Sequence, residues 1–163
     1  MYYFAYGSNM SRKRLSARIP SADFVVVALL VEHELRFHKI GKDGSAKCDA
    51  VHTGDTEDAI IGVLYKICET HKPILDQIEG LGKGYEEKMI TVVTDDGEHL
   101  EATTYYATHI DPERQPFHWY KEHVLRGTRE YDFPLHYVRA ITDVKSIDDP
   151  DFERHKVEMG IYL

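Results

Sequence analysis

Met1-Tyr2-Tyr3-Phe4-Ala5-Tyr6-Gly7-Ser8-Asn9-Met10 opens the chain and decides how the rest is read. Aromatic, β-favouring residues Tyr2–Tyr6 run into Gly-Ser-Asn, and a basic, helix-like stretch, Ser11–Ile19, follows until Pro20 stops it. The pattern predicts a strand, a tight turn and a helix. A turn ahead of a helix leaves several backbone N–H groups without carbonyl partners, so it forms a natural cradle for a carboxylate or an oxyanion. Gly7, lacking a Cβ, lets a ligand approach the backbone closely. If the chain does chemistry, much of its site belongs at this turn.

Working outward, Phe24–Val31 is a nearly continuous apolar run and predicts a strand buried on both faces. Glu34–His38, Cys48–His52 and Ile60–Ile67 predict further strands, with Gly41–Gly44 as a loop. Thr70 is the expected N-cap of a helix over His71–Ile78, with Pro73 in its first turn, Ile74, Leu75 and Ile78 on one face, and Gly80 as its stop. Asp95-Asp96-Gly97 between Glu86–Thr94 and Leu100–Ala107 is a hairpin signal. Phe117–Arg126 predicts a helix with Phe117, Tyr120, Val124 and Leu125 inward, ended by Gly127, and Pro134–Val144 predicts another. The tail Asp148–Leu163 is charged, then apolar at Ile161, Tyr162 and Leu163; it is expected to pack on the body or on a partner. The periodicity gives about six or seven strands and about four short helices. Strands come as neighbours instead of in βαβ units, which predicts an α+β fold: a mixed, mostly antiparallel β-barrel with flanking short helices.

The 163 residues point to a single domain spanning 1–163, with enough chain to bury a core without staples. A hydrophobic content of 42% argues against disorder, and a net charge of −8 argues against a general nucleic-acid binder. Arg12, Lys13 and Arg14 are too few to reverse that balance and are expected on a solvated helix face. A strand starting at Tyr2 argues against a signal peptide, and no apolar run approaches the roughly 20 residues that span a bilayer. Cys48 and Cys68 form no Cys-x-x-Cys pair, so a reducing cytoplasm is the expected compartment.

Asp76-Gln77-Ile78-Glu79-Gly80 is the second informative segment. A carboxylate at a helix C-terminus faces the negative end of the macrodipole and is nudged towards a higher pKa, which suits a general acid/base. The following Gly80-Leu81-Gly82-Lys83-Gly84-Tyr85 lacks the Gly-Lys-Ser/Thr ending of a P-loop and precedes a strand, so it reads as a supple loop that lets Glu79 and Tyr85 line a cavity. Ten histidines are scattered without repeated metal-site spacing, and no metal or other cofactor is expected. There is no Gly-x-Ser-x-Gly elbow, and Ser8, Cys48 and Cys68 have no partner base fixed by the sequence.

Tyr6-Gly7-Ser8-Asn9-Met10 after an N-terminal strand, then Asp76-x-x-Glu79-Gly80 with Tyr85 following, resembles the γ-glutamylcyclotransferase family, including its AIG2-like and γ-glutamylamine branches. Gly62-Val63, Tyr120-Lys121 and Phe133-Pro134-Leu135-His136-Tyr137 extend the resemblance over most of the chain. It implies a mixed barrel and a cavity between the N-terminal turn and a catalytic Glu79. It also implies that Tyr6, Gly7, Ser8, Asn9 and Met10 hold a γ-glutamyl group and that Tyr85 and Tyr120 line the pocket. The implied partner is a small γ-glutamyl amide, with no nucleic acid or membrane, and relatives can form homodimers. A γ-glutamyl amide carries its own nucleophile, the α-amine, so ring closure to 5-oxoproline needs no enzyme nucleophile. Two alternatives remain open at this point: a non-catalytic small-molecule-binding module of the same fold, and an unrelated Cys or His hydrolase.

Overall fold

A computed structural model describes residues 1–163. The order is β1 (Tyr2–Ala5), a 3-10 turn (Ser8–Met10), α1 (Arg12–Arg18), β2 (Asp23–Val31), β3 (His33–Ile40), β4 (Ala46–His52) and β5 (Ala59–Lys66). A second 3-10 turn (Glu69–His71) leads into α2 (Lys72–Glu79), followed by β6 (Tyr85–Thr94), β7 (His99–Ala107), α3 (His118–Glu130), α4 (Leu135–Thr142) and α5 (Phe152–Gly160). Five strands close a barrel in the order β1-β5-β2-β6-β7. The β1–β7 contact, Tyr3 opposite Thr103, is parallel and every other pairing is antiparallel. The mixed, mostly antiparallel barrel with short flanking helices is the architecture expected from the sequence.

Not every strand enters it. β3 and β4 pair with each other as a separate two-stranded sheet. Buried Asp49 ties this hairpin to the barrel: one carboxylate oxygen accepts the Ala107 N–H (2.7 Å) and the other lies 2.7 Å from His38 Nε2. The hairpin therefore forms a wall beside the barrel end that carries the N-terminal turn.

Five local expectations give way to tertiary packing, the first at Arg14, which is not on a solvated face but only 6% exposed and paired with Glu158 under α5. β2 is not buried on both faces: Phe24 is 45% exposed and stacks on Tyr131, because a barrel strand has an outer surface. Thr70 lies inside the 3-10 turn, His71 takes the N-cap position, and the Thr70 hydroxyl contacts Cys68 Sγ instead. On α2, Leu75 points inward while Ile74 is exposed. α3 runs through Gly127 to Glu130, since the helix there lies directly on the N-terminal turn; a Cβ on Gly127 would fall 2.4 Å from Met10 Cβ and 3.0 Å from Ser11 N. Gly127 marks a close approach and not a helix end.

The tail forms a fifth helix, α5, and packs on its own chain. Asp151 caps it by accepting the Arg154 N–H (3.0 Å), the Tyr162 hydroxyl lies 2.6 Å from His123 Nδ1, and Arg126 sits over the Tyr162 ring. α4 is anchored in turn by Tyr137, whose hydroxyl donates to the Ile61 carbonyl (3.2 Å) on β5. The core runs without a break from Phe4 on β1 through Val63, Leu64 and Tyr65 on β5 to Val124 on α3. No helix is long and apolar enough to cross a membrane.

Candidate active site

Two segments far apart in sequence meet at the end of the barrel. The chain leaves β1 at Tyr6 and tightens into the 3-10 turn, closed by Met10 N–H on Gly7 O (3.0 Å). The Gly7 N–H donates to no protein acceptor. Gly7 is also needed for packing, because a Cβ there would lie 3.0 Å from Cys48 Cβ on β4. From the other side α2 delivers Glu79 as its last residue. Gly80 stops the helix in the left-handed region at φ 73°, and the Gly80 and Leu81 N–H groups both return to Asp76 O (2.9 Å each). That tight C-cap fixes the direction in which Glu79 leaves the helix.

Glu79 Oε1 accepts two hydrogen bonds, from Tyr3 OH (2.9 Å) and from Asn9 Nδ2 (2.7 Å). Asn9 is oriented in turn by Arg18, whose Nη1 donates to Asn9 Oδ1 (3.2 Å). Oε2 has no protein partner. One carboxylate oxygen is thus held in place and the other is available to a ligand. Burial pushes the Glu79 pKa above the ordinary carboxylate value; the Tyr3 hydrogen bond, the Arg18 charge and the Asn9 hydrogen bond oppose that shift without cancelling it. The cause is chiefly desolvation, a tertiary effect, and not the helix end considered in the sequence.

Around Glu79 lies a narrow recess of about 30 Å³, enclosed by Tyr3, Tyr6, Gly7, Cys48, Tyr105 and Tyr120 among others. It opens into a vestibule of about 420 Å³, and Ser8, Asn9, Glu79, Tyr85 and Tyr120 border both spaces. Burial holds the phenols of Tyr3, Tyr6, Tyr85 and Tyr120 well above their usual range, so all four stay protonated. Tyr6 OH donates to Tyr105 O and Tyr85 OH to Cys48 O, while Tyr120 OH accepts the Cys48 N–H (2.9 Å). These rings form a rigid, hydrogen-bonded wall. Burial pushes the Cys48 thiol up to about 12, which leaves it without thiolate character near neutral pH.

Of the residues singled out in the sequence, Tyr6, Gly7, Ser8, Asn9, Glu79, Tyr85 and Tyr120 all border this space. Met10 does not. Its side chain is fully buried under Gly127 and its carbonyl accepts from Tyr65 OH (2.8 Å), so its position is that of a packing residue beneath the turn. Sequence reasoning missed Tyr3, Tyr105, Arg18 and Lys39. Tyr3 had a usable signal: it lies one strand residue from Phe4 and three before Tyr6, on a strand that ends at the turn. Arg18 and Lys39 had none, because only the fold brings α1 and β3 to Glu79. No cluster of three or more His, Cys, Asp or Glu is arranged to hold a metal ion.

Comparison with known proteins shows the family and the fold. The model of the AIG2-like family matches residues 59–141, from β5 through Glu79 to α4. A γ-glutamylcyclotransferase from Bos taurus is 30% identical over 153 residues, covering 90% of this chain and 79% of its own length. The Homo sapiens γ-glutamylcyclotransferase is 30% identical over 154 residues, covering 92% and 80%. A solved structure of a γ-glutamyl cyclotransferase superposes with a TM-score of 0.87 at 25% identity, covering 98% of both chains. On sequence and architecture together, the chain belongs to the AIG2-like, γ-glutamylcyclotransferase family.

Proposed function

We propose that this protein is an enzyme that releases 5-oxoproline and a free amino acid or amine from a γ-glutamyl amide. The observation that carries this is the state of Glu79: Oε1 is fixed by Tyr3 and Asn9, Oε2 is unpartnered, and the carboxyl faces a turn with a free Gly7 N–H. Similarity to γ-glutamylcyclotransferases supports the substrate class.

The chemistry follows from the substrate. Its α-ammonium loses a proton to Glu79, and the resulting amine attacks the γ-carbonyl carbon. A C–N bond forms to close the five-membered ring, and the amide C–N bond to the leaving group breaks. The proton held by Glu79 passes to the departing nitrogen, so one carboxyl acts first as base and then as acid. Its raised pKa suits both roles, because a weakly acidic carboxyl takes a proton readily. The Gly7-Ser8-Asn9 turn supplies N–H donors for the α-carboxylate or the developing oxyanion. The headgroup lies where the recess meets the vestibule, with one polar end turned towards Glu79. Folding the headgroup against the tyrosine wall brings amine and carbonyl together, which is where proximity contributes.

The test is Glu79→Gln, with 5-oxoproline and free amine both quantified from a panel of γ-glutamyl donors. The amide keeps the shape and can still accept from Tyr3, but it cannot shuttle a proton. Turnover should fall roughly 10²–10⁴-fold with the fold intact. Undiminished 5-oxoproline release by the variant would remove Glu79 from the mechanism, and glutamate in place of 5-oxoproline would mark a hydrolase.

A further inference from the structure

The vestibule beyond Glu79 is cationic on a protein whose net charge is −8. Seven basic residues border it. Three are neutralised within the fold: Arg14 by Glu158, Lys47 by Asp43 (2.8 Å) and Arg154 by Asp149. The other four, Arg18, Lys39, Lys42 and Lys83, form no ion pair. Lys39 is the most telling. It is only 6% exposed, and the contact found for its ammonium is the face of Tyr85, 4.5 Å from the ring centroid. Its stem is packed away while its ammonium borders the vestibule with no anion beside it, and partial desolvation pushes its pKa below the usual lysine value. Glu79 attracts it at a distance but makes no ion pair with it.

Resting on the γ-glutamyl reading above, we infer that this vestibule takes a leaving group bearing two carboxylates, an acidic amino acid or a short acidic peptide, and discriminates against cationic amines. One carboxylate supplies the counter-charge that Lys39 lacks within the fold. The exposed rim lysines Lys42 and Lys83 favour a second, since Asp43, the one other acid lining the vestibule besides Glu79, is already held by Lys47. A cationic leaving group would meet four unneutralised positive charges, and like-charge juxtaposition is a strong means of rejection.

A ladder of donors with one headgroup tests this: γ-glutamyl-putrescine, γ-glutamyl-alaninamide, γ-glutamyl-alanine and γ-glutamyl-glutamate, whose leaving groups carry charges from positive through neutral to doubly negative. The kcat/KM for 5-oxoproline release should rise roughly threefold per step towards the dianion, and the slope should flatten as salt is added. Lys42→Ser with Lys83→Ser, on the exposed rim, should shrink the ratio of the glutamate donor to the alanine donor. Lys39→Met should shrink the ratio of the alanine donor to the alaninamide donor. Should Lys39→Met not fold, the rim variant and the salt series still decide. Equal kcat/KM for all four donors, or a ladder unchanged in the rim variant and by salt, overturns the vestibule assignment alone. No 5-oxoproline from any donor overturns it together with the γ-glutamyl assignment.

Discussion

Glu79 and Glu158 are both partly buried carboxylates near the N-terminal turn, and the fold drives their acidities in opposite directions. Burial raises both. At Glu158 the His123 hydrogen bond and the Arg14 guanidinium outweigh it and hold the carboxyl at about 2. At Glu79 the direct partners are neutral, a phenol and a carboxamide, and the nearest guanidinium, Arg18, is separated from it by Asn9. Cations in direct contact turn an acid into structure; neutral donors leave it able to exchange a proton. His123 belongs to the structural cluster as well. It is fully buried, and burial pushes it down to about 4, so it is neutral at ordinary pH.

The sharpest way to break this contrast is to neutralise each acid. Glu79→Gln should abolish most 5-oxoproline release, roughly 10²–10⁴-fold, and Glu158→Gln should leave the chemistry nearly intact. Comparable losses of turnover in folded samples of the two variants would erase the distinction.

Stability should show the reverse ranking. Glu158→Gln strips a charge from the Arg14–His123 cluster and should cost about 1–3 kcal/mol in denaturant unfolding at pH 7. The sign with pH is fixed by a depressed folded pKa. The Glu158 contribution is fully present above the unfolded carboxylate value, about 4.3, and is lost as pH falls towards about 2. The gap between wild type and variant should therefore narrow in acid.

A smaller effect is expected at Tyr3. Tyr3→Phe removes one of the two donors to Glu79 Oε1, and that donor normally lowers the Glu79 pKa. The acid limb of the kcat/KM profile should move to higher pH, with a loss of about tenfold at neutral pH. An unmoved acid limb would show that the limb does not report Glu79.

The smallest effect is thermal. Because its folded pKa is raised, Glu79 takes a proton more readily in the folded state, and wild-type stability falls as pH rises through the window above about 4.3. Glu79→Gln should melt slightly higher than wild type at pH 7, with the difference closing near pH 4. A variant less stable at pH 7 would mean that the carboxylate is well compensated after all.

Much of this was legible from local chemistry. Tyr2–Met10 reads as strand and turn because its aromatics and glycine have strong backbone preferences over a few residues. Gly80 stops α2, and Asp95-Asp96-Gly97 turns β6 into β7, for the same reason. Where the sequence misled, a distant neighbour had overruled a local preference. Gly127 breaks helices by propensity but sits inside α3 because Met10 and Ser11 press against it. Met10 belongs to the turn motif in sequence but faces the core in space.

By itself, then, the sequence determined most of the elements, the α+β class, and the two segments, Tyr6–Asn9 and Glu79, that meet at the candidate site, all of which depend on residues close together in the chain. The tertiary structure alone decided that β3 and β4 stay out of the barrel, that Tyr3 and Asn9 clamp Glu79, and that Lys39 and Arg18 face the same cavity. It also decided how acidic Glu79 is. Desolvation and hydrogen bonding to a carboxylate depend on what lies within a few ångströms in space, and its partners Tyr3 and Asn9 lie 76 and 70 residues away along the chain.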